Sequence, residues 1–224
     1  MKETDGTSTA GQQTHVASAA DTTEFIDAFR GDAAQAYDVW YEHPDNRTAV
    51  DLERKALLEM MAPAEGESLL DVGCGTGYFS FYFYRQGLKV VGLDRSKDML
   101  AVAREKRKDL PLVLGDAHRL PFDEEAFDIT TAITTLEFIS NPDVVLHELY
   151  RVCKRMVVLG VLHKLSWLAL KRRIRRRSPF PRATFYTAGD LEKLIRHSLG
   201  NVAISIQRPF RAFMVISITK HAGG

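Results

Sequence analysis

The feature that most constrains this chain is a glycine-rich turn placed between an apolar run and an aromatic run. Residues 69–72 are apolar apart from Asp71, and Gly73, Gly75 and Gly77 follow at alternate positions. This pattern predicts a buried strand, a tight turn and the start of a helix. Because glycine has no Cβ, such a turn lets a ligand lie against bare backbone. With an acid at the strand end, the turn favours a nucleotide-like ligand that carries a cationic group.

The remainder of the chain predicts one large domain preceded by smaller segments. Residues 1–20 contain almost no apolar side chains and are predicted to be a flexible tail. Residues 21–62 are predicted to form a helical lid, with helical patterns at 24–41 and at about 48–61. Residues 63–224 are predicted to form the main domain, with a basic insert at about 163–180.

Strand and helix patterns alternate along the main domain, which favours a doubly wound, mostly parallel seven-stranded sheet with helices on both faces. The last two strands are separated by only a short turn at Arg208 and Pro209, so one strand near the C-terminus should be antiparallel. The predicted strands are 68–72, 89–93, 112–114, 127–133, 156–162, 202–206 and 213–219. The predicted helices are 77–86, about 97–106 after a Ser96 cap, 142–152, and about 187–197.

Composition excludes several classes of protein. The formal net charge of +1 indicates no general attraction to nucleic acid or membrane. Cys74 and Cys153 are far apart and lack the spacing of metal ligands, so neither a metal site nor a disulfide is predicted. No apolar run approaches the roughly 20 residues that span a bilayer, and no apolar signal core begins the chain. A cytoplasmic location is therefore expected.

Acids follow three successive predicted strands, at Asp71, Asp94 and Asp116. In an open α/β sheet, ligands bind outside the carboxyl ends of the strands, so these acids should share one edge. Asp94 lies about 20 residues after the glycine turn, where an acid can accept hydrogen bonds from ribose hydroxyls. Asp116 could accept from an exocyclic amine while the backbone beside it, at Ala117, meets a ring nitrogen.

The spacing of the glycines separates two kinds of cofactor. Dinucleotide-binding proteins place the glycines as Gly-x-Gly-x-x-Gly around a pyrophosphate. Here the third glycine comes one residue earlier, and Asp71 precedes the turn. An acid beside the turn suits a ligand with an ammonium group and no phosphates, which disfavours a nicotinamide dehydrogenase.

These motifs together resemble the class I S-adenosylmethionine-dependent methyltransferases, especially the branch that includes ubiquinone and menaquinone biosynthesis enzymes. The resemblance covers about residue 37 to the end of the chain. It departs from the family at Cys153-Lys154-Arg155, where most members have a Pro-Gly-Gly turn. The matching motifs are residues 69–78, Val91-Gly-Leu-Asp94, Gly115-Asp116-Ala117, Leu120-Pro121-Phe122, Phe127-Asp128, residues 148–152, Tyr37-Asp-x-Trp40-Tyr41, and Glu53.

The resemblance implies a Rossmann-like fold and methyl transfer from S-adenosylmethionine, with S-adenosylhomocysteine as product. It implies that Asp71 and Gly73 hold the methionine amine, that Asp94 holds the ribose, and that Asp116 and Ala117 hold the adenine. The other residues expected around the cofactor are Cys74, Gly75, Gly77, Arg95, Tyr41, and the backbone of Ala132 and Ile133.

Two residues are candidate general bases. Glu137 follows the fourth predicted strand and His163 follows the fifth, on the same sheet edge. Each could equally be a solvated surface residue. Cys74 is interpreted as a small packing residue rather than a catalytic thiol, and Trp40 with Tyr41 as either a lid over the cofactor or core.

A second unusual feature is a segment that is apolar at Leu165 and strongly basic from Lys171 to Arg177. It could rest on anionic lipid and receive a lipophilic acceptor, making the protein a peripheral membrane protein. It could recognise an acidic substrate or RNA, or simply be a solvated helix. The segment lacks interleaved aromatic residues, which disfavours nucleic acid.

The sequence therefore predicts a methyltransferase that acts on a small or lipophilic acceptor. The alternative is a non-catalytic protein that keeps the fold to sense S-adenosylmethionine or to bind a partner, since the sequence assigns no assured base.

Overall fold

The computed structural model describes residue 29, residues 31–164 and residues 183–220, without the side chain of Trp40. The predicted tail at residues 1–20 lies outside this part of the chain. So do the basic segment from Leu165 to Arg177 and the side chain of Trp40 in the predicted lid.

A seven-stranded sheet forms the centre of the molecule, in the order β3-β2-β1-β4-β5-β7-β6. Strands β1 to β5 pair in parallel, and β7 runs antiparallel to both β5 and β6. The predicted doubly wound sheet with one antiparallel strand is confirmed. The strands are β1 Ser68–Val72, β2 Lys89–Asp94, β3 Leu112–Leu114, β4 Phe127–Ile133, β5 Cys153–Leu162, β6 Ala203–Phe210 and β7 Phe213–Thr219.

Helices precede the sheet and connect its strands. Among the described residues, three helices come before β1, in the region predicted to be the lid, and four cover the two faces of the sheet. The helices are α1 Asp32–Gln35, α2 Val39–Glu42, α3 Arg47–Met61, α4 Tyr78–Arg85, α5 Lys97–Lys106, α6 Pro142–Val152 and α7 Ala188–Leu199.

The core lies on both faces of the sheet, because the central strands are buried on both sides. In β1, Leu70 packs with Leu149 of α6 and Ile195 of α7 in one cluster. Its neighbour Leu69 packs with Leu57 of α3 in a second cluster on the opposite face. Successive side chains of a strand point to opposite faces, which explains why one strand serves both clusters.

Three local predictions were wrong. The helical pattern at 24–41 is interrupted in its described part, where α1 and α2 are separated by a turn. Strand β5 begins at Cys153, directly after α6, rather than at Met156. Residues Arg208 and Pro209 lie within β6, where the register shifts between Gln207 and Phe210, and not in a turn. Proline is tolerated there because β6 is an edge strand.

The strand order reverses around β1, which has β2 on one side and β4 on the other. At such a switch point the loops that leave adjacent strands diverge, and a crevice opens at their carboxyl ends. The glycine turn after β1, Asp94 at the end of β2 and the threonines that follow β4 all meet at this crevice.

Candidate cofactor site

The glycine turn is anchored to the end of β2. The backbone N–H groups of Gly73 and Cys74 both donate to the carbonyl of Leu93, at 2.7 and 3.0 Å. The φ angles of Gly73, Gly75 and Gly77 are +73°, +56° and +79°, in the left-handed region that favours glycine. The alternate glycines therefore set the shape of the turn.

At Gly73 a side chain is excluded by contact as well as by conformation. A Cβ placed there would lie 2.3 Å from Cγ2 and 2.5 Å from Oγ1 of Thr135. Thr135 follows β4, and its hydroxyl donates to the Gly73 carbonyl at 3.3 Å. The turns after β1 and β4 can approach this closely only with glycine at position 73.

Asp94 connects the glycine turn to the start of α5. Its carboxylate accepts from the N–H of Gly75 and from the N–H of Ser96, each at 2.8 Å. Burial raises the pKa of Asp94, and these two hydrogen bonds oppose that effect. Ser96 caps α5 as predicted, since its hydroxyl accepts from the N–H of Met99.

Asp71 lies beneath the turn rather than in its mouth. Its side chain accepts hydrogen bonds from the hydroxyls of Ser80, at 2.5 Å, and Thr131, at 3.0 Å, and the residue is 2% exposed. Burial raises its pKa to about 6, although the two hydroxyls act in the opposite direction. The acid therefore places a titratable charge under the glycine turn.

Asp116 and His118 form the far end of the site. The N–H of His118 donates to Oδ1 of Asp116 at 2.9 Å, and the ring Nδ1 lies 2.7 Å from the same oxygen. Burial tends to raise the pKa of Asp116, but the His118 hydrogen bonds and the positive charges of His118 and Arg95 lower it overall. Asp116 is thus held as a carboxylate at the rim.

These groups surround an open cleft with about 860 Å³ of empty space, a figure that includes open solvent. The cleft runs from the glycine turn to the Asp116 loop. Of the residues predicted to contact the cofactor, it is lined by Gly73, Gly75, Asp94, Arg95, Asp116 and Ala117.

A smaller cavity adjoins the cleft and shares Tyr37, Gly73, Gly75 and Thr134 with it. The ring of Tyr41 stacks on that of Tyr78, with 4.3 Å between centroids. Predicted cofactor residues that line this cavity are Tyr41, Asp71, Gly73, Cys74, Gly75 and Ile133. Gly77 and Ala132 line neither cavity: Gly77 is the N-cap of α4, and Ala132 is fully buried in β4.

Several residues of the cleft wall were missed by the sequence reasoning. Phe29 lies edge-on to Phe138, with 5.3 Å between ring centroids. Phe29 and Phe138 are far apart in the sequence, and no motif includes both of them. The sequence did offer one signal, because threonines are frequent at the end of β4. Thr134, which follows this strand, has a φ of +47° and lines both cavities.

The structure buries both candidate bases. Glu137 is 1% exposed, and its Oε1 accepts from the N–H of Leu162 at 2.6 Å. His163 is 8% exposed, and its pKa is lowered by burial and by the charge of Arg208. They share the predicted sheet edge, but among the described residues neither belongs to the lining of either cavity. Their catalytic roles remain predictions.

Cys74 packs against β2, as a small residue in the turn should. A Cβ on Gly92 would lie 2.9 Å from the Cys74 sulfur. Burial raises the pKa of the Cys74 thiol well above its ordinary value, which disfavours the reactive thiolate. These observations support the packing interpretation.

Comparisons with known proteins agree with this geometry. Residues 70–159 match the family model of a methyltransferase domain. A malonyl-acyl-carrier-protein O-methyltransferase of Serratia marcescens is 40% identical over 98 residues, or 44% of this chain and 38% of that protein. A demethylmenaquinone methyltransferase of Oceanobacillus iheyensis is 41% identical over 109 residues, or 45% of this chain and 46% of that protein.

A solved structure from Thermotoga maritima, described as an S-adenosylmethionine-dependent methyltransferase and a possible histamine N-methyltransferase, shares the fold. Its TM-score is 0.70 at 23% identity, with 89% of this chain and 99% of that chain covered. The fold is therefore the class I, Rossmann-like methyltransferase fold, as predicted. The match of residues 70–159 to a methyltransferase domain agrees with the resemblance that the motifs indicated.

The alignments with curated relatives are partial, since the chain spans less than half the length of either one. Within the described residues, no helix is both long and apolar enough to cross a bilayer. The same residues contain no group of three or more His, Cys, Asp or Glu side chains that could hold a metal ion.

Proposed function

We propose that this protein transfers a methyl group from S-adenosylmethionine to a small or lipophilic acceptor. The observation that carries the proposal is the convergence of the glycine turn, Asp94 and Asp116 on one cleft. The turn offers backbone without side chains, and the two acids offer hydrogen-bond acceptors for the sugar and the base of a nucleoside. The matched methyltransferase domain spans all three features.

Each part of the cofactor has a proposed partner. Asp94 would accept from the ribose hydroxyls, and Asp116 with Ala117 would receive the adenine. The methionine end would lie over Gly73 toward Thr134, with the negative charge of Asp71 beneath the turn. Arg95 would border the ribose, and Tyr41 would border the methionine end from the smaller cavity.

The bound cofactor would supply the chemistry, because its sulfonium carries the reactive methyl group. The protein would then contribute alignment, which can lower a barrier by about 7–11 kcal/mol in favourable cases. Tyr37 lines both the cleft and the smaller cavity, Tyr41 lines the smaller cavity, and both would border the path of the acceptor. Their aromatic faces suit an acceptor with a flat or apolar body.

A dedicated base is not required by this proposal. Glu137 accepts from the Leu162 backbone, and His163 is buried beside Tyr186, so both would act first by fixing the ends of β4 and β5. An acceptor that already carries an ionised oxygen or an electron-rich carbon needs no proton removed by the enzyme before attack. We infer that such acceptors are preferred.

The names of the relatives support this class of acceptor. One acts on malonyl-acyl carrier protein and the other on demethylmenaquinone. The basic segment from Leu165 to Arg177 would favour an acceptor presented at an anionic lipid surface. Co-sedimentation with anionic liposomes tests this extension: the protein should pellet at low salt, and its absence from the pellet would remove the membrane role.

Methyl transfer itself is tested with S-adenosylmethionine labelled on the methyl group. The protein is incubated with the labelled cofactor and with polar or lipid-extracted small molecules from a bacterial lysate. Label should enter a small molecule, and more so in the lipid fraction. Tight binding of S-adenosylhomocysteine without labelling in any fraction would contradict the proposed activity and favour a non-catalytic sensor.

A further inference from the structure

One histidine bridges the two walls at the adenine end of the cleft. His118 lies in the loop after β3, and Ser140 lies in the turn before α6. The ring Nδ1 of His118 is 2.7 Å from Oδ1 of Asp116, and its Nε2 is 2.6 Å from the carbonyl oxygen of Ser140. All three residues line the cleft, so this bridge sets the width of its end.

Both partners of the ring can only accept hydrogen bonds. The Ser140 carbonyl has no proton to donate, and Asp116 is held as a carboxylate. A neutral imidazole carries a single N–H, so it can satisfy one of the two partners at a time. Only the imidazolium, which donates from both nitrogens, makes the complete bridge.

The same contacts orient the Asp116 carboxylate. Both the backbone N–H and the ring of His118 meet Oδ1, and among the described residues no hydrogen bond falls on Oδ2. Oδ2 is therefore the oxygen presented to a ligand. An exocyclic amine at this place would donate a hydrogen bond to Oδ2. A carbonyl at the same place has no hydrogen to donate, and its oxygen would be repelled by the carboxylate.

We propose that His118 is a positioning residue for the adenine, which orients Asp116 and, when protonated, holds the Ser140 wall against the cofactor. The consequence is a cofactor affinity that is linked to protonation of His118. This inference rests on the proposed function, because it assumes an adenine-containing ligand.

Three charged residues lie along the loop and strand that carry the bridge. Asp116 contacts the His118 ring directly. Arg95, which directly follows β2, helps to lower the pKa of Asp116 through its positive charge. Arg119 is the next residue in the chain and pairs with Asp116 through the backbone.

The test uses substitutions that keep one arm of the bridge at a time. His118→Asn retains a donor near the Nδ1 position and loses the arm to Ser140. His118→Gln retains a donor near the Nε2 position and loses the arm to Asp116. His147→Asn, at an exposed position of α6, is the matched control. Thermal unfolding of each variant establishes that it is folded.

Isothermal titration with S-adenosylhomocysteine at pH 5.5 and pH 8.5 gives the affinity of each protein. For each variant we compare its Kd with that of the wild type at the same pH. Asp71, whose pKa is about 6, is present in both proteins, so the effect of its titration on binding cancels in this ratio. For both His118 variants we expect a ratio of roughly ten at pH 5.5, equivalent to one charged hydrogen bond, and near one at pH 8.5. The control should stay near one throughout.

A second probe, S-inosylhomocysteine, presents a carbonyl where adenine has its amine. The wild type and His118→Asn should prefer the adenosine compound, and His118→Gln should lose part of that preference. A ratio that is the same at both pH values, or equal preference in both variants, would overturn the inference while leaving the proposed function intact. Failure of the wild type to bind S-adenosylhomocysteine would overturn the proposed function itself.

Discussion

The two ends of the cleft are built in different ways. At the proposed nucleoside end, each lining residue lies at or just after the end of a strand: Asp94 at the end of β2, and Asp116 with Ala117 after β3. The rest of the cleft wall comes from segments that are far apart in the chain, such as Phe29, Tyr37 and Phe138. The first arrangement produces a local motif that can be recognised in a single sequence. The second brings distant residues together only in the folded protein, so no local motif marks it.

The glycine turn joins the two ends, and the largest expected effect is there. Gly73→Ala would add a Cβ 2.3 Å from Thr135 at a φ of +73°. The overlap and the strained conformation together should cost roughly 2–5 kcal/mol of stability. Binding of S-adenosylhomocysteine should be lost in calorimetric titration. The substitution should therefore disrupt ligand contacts at both ends of the cleft.

Gly66→Ala is the matched control, since Gly66 has a φ of +78° but its nearest neighbouring atom would be 4.0 Å away. It should lose some stability from strain while still binding the ligand. Equal losses in the two variants, measured by urea unfolding, would mean that the contact with Thr135 is unimportant.

The second prediction concerns the methionine end, where Glu53 of α3 is buried near Tyr41 and Tyr78. Burial raises the pKa of Glu53 to about 8. The unfolded chain loses this proton near pH 4.5 and the folded chain only near pH 8, so the wild type should lose stability as the pH rises between these values. Glu53→Gln has no proton to lose and should be more stable than the wild type at pH 8.5 by roughly 2 kcal/mol.

Urea unfolding at pH 5 and pH 8.5 measures this difference. Glu59→Gln, an exposed position of the same helix, is the control and should leave the pH dependence unchanged. If wild type and Glu53→Gln show parallel pH dependences, the acid does not stay protonated in the folded protein.

The third prediction concerns a substitution that should weaken binding at the proposed nucleoside end alone. Arg151 of α6 pairs with Glu148 and donates to the carbonyls of Leu120 and Phe122, at 3.2 and 2.9 Å. It thereby holds the loop that follows Asp116. Arg151→Gln should weaken S-adenosylhomocysteine binding by about 1–2 kcal/mol, because the loop loses its charged hydrogen bonds.

For comparison, Arg196→Gln removes an exposed ion pair with Glu192 and should change binding little. Unchanged affinity in Arg151→Gln would show that the loop keeps its place without this arginine.

The smallest expected effect is at Tyr41, whose ring stacks on Tyr78. Tyr41→Phe keeps the stack and should bind S-adenosylhomocysteine almost as the wild type does. Tyr41→Leu removes the stack and should weaken binding by about 1 kcal/mol. Equal affinities of all three proteins would exclude Tyr41 from the methionine end.

The fold could be predicted largely from local patterns. Strand β1 is buried on both faces, as its apolar run predicts, and Ser96 and Thr187 cap α5 and α7 through their own hydroxyls. Such signals lie within a few residues of the element they define. The errors occurred where tertiary context decided, as at Pro209, which an edge strand accommodates.

The site could be predicted where a motif carried it. Asp94 and Asp116 reach the cleft because parallel strands end at one edge. Thr135 was missed because its importance lies in its contact with Gly73, 62 residues away in the chain. Glu137 was assigned to the edge correctly, but sequence could not reveal that its Oε1 meets the Leu162 backbone.

The central claim is that the cleft takes an S-adenosyl compound and not a dinucleotide. Calorimetric titration of the wild type with S-adenosylhomocysteine and with NADH tests it most directly, with Asp94→Ala beside the exposed control Asp109→Ala. We expect binding of S-adenosylhomocysteine alone, weakened by about 1–3 kcal/mol in Asp94→Ala as the ribose loses a charged acceptor, and unaffected in the control. Tight binding of NADH with no binding of S-adenosylhomocysteine would contradict the account.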